Sequence, residues 1–165
     1  MDSIVYVRSA PGDIGQNVWA FLWMIKVSEL GRDLIAKSDS GYNVLVGATA
    51  TKPLLFPSYA THPNILNRRL NSTAAGAYQL LGRYFSPYKN LLKLPDFGPL
   101  SQDKIAIQQM RERGALASVQ QGDLATAIDR CSNIWASFPG SPYGQHTNTL
   151  DYLRDAYIEA GGSLK

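Results

Sequence analysis

Cysteine, histidine and long apolar runs are scarce in this 165-residue chain, and each shortage removes a class of function. Cys131 is the only cysteine, so no intramolecular disulfide can form and packing must hold the fold. Its place in the apolar pattern of Ala127, Ile128 and Trp135 reads as a buried small hydrophobe rather than a nucleophile. His62 and His146 lie far apart, and neither has a second His, Cys or carboxylate at ligand spacing, so no metal or other cofactor is expected. Gly12 and Gly15 lack the third glycine and flanking elements of a phosphate loop, and no Gly-x-Ser-x-Gly elbow presents a serine nucleophile. The longest apolar run, residues 18–25, is too short to span a bilayer and leads into Lys26. Residues 1–17 are polar and carry Asp2 and Asp13, unlike a secretory signal. A protein made soluble in a cytoplasm, with no stable membrane association, is the expectation. A substrate beyond the inner membrane would then require release by something else.

What remains suffices for one domain. With 45% hydrophobic residues, a chain of this length buries on the order of 70% of its unfolded surface. The net charge of +3 comes from scattered Lys and Arg, with Arg68-Arg69 the one tight pair. That favours an acidic partner without naming it, and it lacks the dense basic stripe of a nucleic-acid groove binder. A flexible lead-in over 1–17 precedes a domain over 18–165. A helix over residues 18–29 is followed by a Gly-, Ser-, Thr- and Pro-rich stretch, in which 42–46 and 54–56 have strand composition. Helices are then expected from Ser72 or Thr73 to about Phe85, stopped by Pro87; from a cap at Ser101 to Gly114; from a cap at Asp123 to about Ser137; and from Thr147 or Asn148 to Gly161. The order predicts an α+β domain, a helical lobe with a small antiparallel sheet lobe and a cleft between them.

Glu29 stands out because of its position. Val18, Phe21, Leu22 and Ile25 share one face of the first helix, and one turn later that face presents Glu29 just before Gly31. Desolvation and the negative end of the helix dipole both push its pKa upward. A carboxyl that keeps its proton near neutrality can deliver it to a leaving oxygen, as a general acid for glycoside cleavage must. The alternative is a helix-end Glu that swings out to solvent. Two further polar clusters at turns, residues 72–79 and 141–145, offer Gln79, whose amide suits a sugar N-acetyl group, and Tyr78 and Tyr143, whose rings and hydroxyls suit a glycan or a carboxylate. Core packing is the competing role for Tyr78.

Residues 41–47, 72–81, 101–103 and 111–116, and the run 127–137 followed by Pro139-Gly140 and Tyr143-Gly144-Gln145, closely resemble the endolysins of the phage lambda type, over roughly residues 21–162. The resemblance implies a lysozyme-like fold and a lytic transglycosylase that degrades host peptidoglycan. It implies one catalytic glutamate after a serine on the first helix, here Glu29, and a separate membrane pore-former, a holin, to release the protein from the host cytoplasm to the periplasm. Similarity to transglycosylases more widely implies that Tyr143 orients Glu29 and that Gln79 and Tyr42, with Ser72 and Tyr78, hold the glycan. The chain departs from the pattern at Leu30, where glycine is usual, at Thr61, where aspartate is usual, and at Ala77, where arginine is usual.

In the reaction so implied, Glu29 protonates the leaving oxygen between N-acetylmuramic acid (MurNAc) and N-acetylglucosamine (GlcNAc). It then takes the proton of the muramic C6 hydroxyl, which closes an anhydro ring. A hydrolase needs a second carboxylate, for which Asp33 and Asp39 are the nearest in sequence. A glycan-binding module without catalysis and, more remotely, a nucleic-acid binder are the other readings. A monomer is the default.

Overall fold

The computed structural model describes residues 15–144 and 146–165. Helix α1 (Gln16–Leu30) runs through the middle of the larger lobe, with every residue from Val18 to Ser28 buried. The single apolar face expected for it is therefore incomplete. Trp23 and Met24, off that face, are buried, and so is Lys26, because neighbouring elements surround the helix. It packs against α2 (Arg32–Ala36), α4 (Pro99–Glu112), α5 (Leu116–Gln121) and, most extensively, α7 (Leu150–Glu159). Helix α1 begins at Gln16 behind Gly15, so residues 16 and 17 belong to the helix rather than to a lead-in; residues 1–14 of that lead-in lie outside the described residues.

A second, smaller core of Phe56, Ala75, Leu80, Phe85, Leu94, Phe97 and Ile105 lies under residues 43–80 and helix α3 (Gly82–Leu92). His62 closes it, its ring 4.7 Å from that of Phe97 and its Nε2 bonded to the carbonyl of Leu80 at 2.8 Å. The antiparallel sheet expected here is reduced, among the described residues, to isolated antiparallel bridges. Residues 43–46 bond to 54–56 on one side, through Leu45 N to Leu54 O and Phe56 N to Asn43 O, and to 74–76 on the other, through Val46 N to Ala74 O and Gly76 N to Val44 O. Left-handed residues Gly41 and Gly47 and the prolines at 53 and 57 stop each pairing after a residue or two.

The helix expected from Ser72 is a turn instead. Gly76 and Gln79 adopt φ of 88° and 52°, and Ala75 and Leu80 exchange both backbone bonds at 3.0 Å across it. Thr73 does cap a helix, but across space: its Oγ1 accepts the N–H of Gly82, the first residue of α3. Pro87 lies inside α3 rather than ending it. Helix α4 starts behind Gly98 with Pro99 in its first turn, so Ser101, expected as its cap, instead donates to Asp96. Asp123 caps α6 (Leu124–Cys131), which ends six residues early and leaves 132–144 and 146–149 irregular. Thr149, rather than Thr147 or Asn148, caps α7. Cys131 is fully buried, and burial pushes its thiol up to about 12.

Candidate active site

Between the two cores lies a cleft of about 820 Å³. Glu29 reaches it from the last turn of α1, which the left-handed Gly31 ends by donating its N–H to the carbonyl of Val27. The carboxyl is half-buried, and desolvation raises its pKa from 4.5 to about 7, against the opposing pull of a hydrogen bond from Ser137. Ser137 Oγ donates to Glu29 Oε2 at 2.7 Å and lies 2.7 Å from Ser28 Oγ. Asn148 donates through Nδ2 to the Oγ and the carbonyl of Ser28, at 3.0 and 3.1 Å, while its own N–H bonds to Ser137 O at 2.7 Å.

Of the residues expected to hold the glycan, Ser72, Tyr78, Gln79 and Tyr143 line this cleft with Glu29. Gln79 is presented by the left-handed turn, its amide Nε2 donating to Gly76 O at 2.9 Å. The hydroxyl of Tyr143 donates to Asn133 O at 2.6 Å, and it is Ser137 that donates to Glu29. Tyr78 is nearly buried, and its hydroxyl donates to Asp103 Oδ1 at 2.5 Å, so the core-packing role holds for most of the ring. Tyr42 is buried behind the cleft wall and donates to the same Asp103 oxygen at 2.9 Å. Lys26 sits 3.8 Å above the Tyr42 ring, its pKa lowered to about 7 because burial outweighs the attraction of Asp103 and Asp39.

Neither Asp33 nor Asp39 lines the cleft. Asp33 belongs to the first turn of α2, and Asp39 accepts the hydroxyl of Tyr59. The second carboxylate in the lining is Glu112, held by the Tyr88 hydroxyl at 2.6 Å and by Gln108 at 3.2 Å. Arg83 and Arg113 are the cationic residues of the same walls. Sequence reasoning paired Ser28 with Glu29 but missed these residues and the partners Ser137 and Asn148, which lie more than a hundred positions from the α1 end they touch. Of the departures from the lambda-type pattern, Leu30 lines the cleft beside the acid, Ala77 is fully buried and Thr61 is exposed.

The family model described as Endolysin matches residues 19–164. The endolysin of Escherichia phage lambda is 47% identical over 157 residues, covering 93% of this chain and 96% of the relative. That of Escherichia phage P2 is 44% identical over 155 residues, covering 89% and 94%. The solved structure of bacteriophage lambda lysozyme complexed with a chitohexasaccharide superposes with a TM-score of 0.83 at 44% identity, covering 94% of this chain and all of that one. A second structure of lysozyme from bacteriophage lambda gives 0.80 at the same identity and coverage. A glutamate-bearing cleft between two cores, in a chain matched along nearly its whole length, makes this protein a member of the endolysin family.

Proposed function

We propose that this protein lyses its bacterial host as a peptidoglycan lytic transglycosylase, with Glu29 as its single catalytic residue. The observation that carries the proposal is the state of that carboxyl: raised to about 7 by desolvation, it is largely protonated below neutrality and readily deprotonated above it. One group can then serve as acid and as base in turn. Glu29 gives its proton to the GlcNAc O4 as the bond to the MurNAc C1 breaks. The resulting carboxylate takes the C6 hydroxyl proton as O6 bonds to C1, which forms 1,6-anhydro-MurNAc and returns the protonated acid. No water is consumed and no second carboxylate is needed.

In this reading Gln79 and Ser72 present hydrogen-bonding groups to the glycan and Tyr143 offers a ring face, while the mostly buried Tyr78 contributes only the edge that reaches the cleft. Tyr42 acts from behind, by holding Asp103 and with it Tyr78. A chitohexasaccharide accompanies lambda lysozyme in one solved structure, which supports a glycan as ligand. No helix among the described residues is long and apolar enough to cross a membrane, in keeping with release from the cytoplasm by a separate holin and action in the periplasm.

Glu112 favours one second reading, a hydrolytic muramidase in which it activates water from the same cleft. Its engagement by Tyr88 and Gln108 weighs against that role. Mass spectrometry of the soluble muropeptides released from Gram-negative peptidoglycan separates the readings. Anhydro-muramic ends from wild type, lost in Glu29→Gln, are the expected result. Reducing muramic ends would replace the transglycosylase with a hydrolase, and glycan binding without release would leave a binding module.

A further inference from the structure

We infer that Ser137, held in register by Ser28 and Asn148, is a positioning residue that dictates which oxygen of Glu29 carries the transferable proton: Oε2 is kept as an acceptor and the proton rides on Oε1. The inference rests on the reading of Glu29 as the acid. It follows from the directions in which the four groups can exchange protons. The Ser28 carbonyl can only accept, so the Asn148 atom 3.1 Å from it must be the amide nitrogen. That nitrogen has no lone pair to offer the Ser28 hydroxyl 3.0 Å away, so Ser28 Oγ accepts there. Its own proton is then free to go to Ser137, and the Ser137 proton to Glu29 Oε2.

With the chain running this way, the same set of bonds serves both states of the carboxyl. A carboxylate only accepts, and Ser137 already donates to it. A carboxylic acid accepts best on its carbonyl oxygen, which places the proton on the other. Proton delivery to the leaving oxygen then requires no reorientation behind the acid. Running in the opposite sense, the chain would fail whenever Glu29 is ionised. The second backbone tie, Asn148 N to Ser137 O at 2.7 Å, holds Ser137 and Asn148 together so that the serine meets the end of α1. The other charged residues of the cleft walls, Arg83, Glu112 and Arg113, take no part in the chain.

The two senses predict opposite signs. The protein has three glutamates, so carboxyl-labelled glutamate gives three resonances, of which Glu29→Gln identifies one. In Ser137→Ala, loss of a donor to the carboxylate should raise the Glu29 titration midpoint from about 7 by about one pH unit. The alkaline limb of the pH–rate profile should move with it, and the maximal rate should fall about tenfold. Ser137→Thr should restore both midpoint and limb. Asn148→Ala should move them upward by less, and it keeps the inference testable if Ser137→Ala fails to fold. A midpoint that stays in place or falls in a folded variant overturns the inference. A midpoint that rises while the rate profile stays fixed would leave the hydrogen-bond chain standing and overturn instead the acid role of Glu29.

Discussion

A carboxyl whose folded pKa lies far above its ordinary value leaves a signature in stability as well as in rate. Glu29 titrates near 7 in the folded protein against 4.5 when exposed, so between these values the folded state binds the extra proton and stability falls as pH rises. Above pH 7 the ionised, desolvated group costs roughly 3 kcal/mol. Lys26 acts in a different window: with a folded pKa of about 7 against 10.5, it adds stability as pH rises from 7. Glu29→Gln should therefore melt above wild type at pH 8 and level with it at pH 4, which scanning calorimetry at both values tests. The same variant should lose at least about a hundredfold in rate of peptidoglycan turbidity loss. Gln79→Ala should behave otherwise, raising KM several-fold with little change in kcat, because in the proposed reading this cleft residue holds ground state and transition state alike. The position of Glu29 at an apolar helix end was readable in the sequence, and so was its raised pKa. Ser137 was not, since no local pattern records a partner 108 residues away.

At the scale of elements, the turn over residues 74–80 decides the shape of the cleft wall. Gln102 reaches under it from α4, accepting from Ala77 N and donating to the carbonyls of Tyr42 and Phe97. A Cβ on Gly76 would lie 2.3 Å from Gln102 Oε1, and its backbone has φ of 88°. Gly76→Ala should thus displace Gln102 and strain the turn, at a combined cost of roughly 2–5 kcal/mol in chemical denaturation. Asp103→Ala should cost about as much by leaving the hydroxyls of Tyr42 and Tyr78 without their shared acceptor. The sequence pattern misread this segment as a helix. Its alanines and leucine have helical composition, but Ala77 and Tyr78 are claimed by the larger core and Ala75 and Leu80 by the smaller one, which only a reversing turn allows. The Asp123 cap was legible because cap chemistry is local.

Across the whole molecule, the C-terminal segment is tied to the start of the helix that carries Glu29 and to the end of α5. Gln16 donates to Ala160 O, Asn17 Oδ1 accepts from Ser163 N, Lys165 N bonds to Gly122 O and the Tyr157 hydroxyl donates to Ser163 O. Deleting residues 163–165 should remove about 2–3 kcal/mol and lower Tm by about 5–10 °C, read by circular dichroism. The sequence by itself determined the family, the placement of Glu29 at the end of an apolar helix, and a core built without disulfides, since composition, periodicity and ordered motifs are properties of the chain. Tertiary structure alone decided that α1 is buried on every side, that the expected sheet shrinks to single bridges, and that Ser137 and Asn148 meet Glu29 and Ser28. Those outcomes depend on two cores competing for the same residues and on contacts between distant segments, which sequence spacing does not encode.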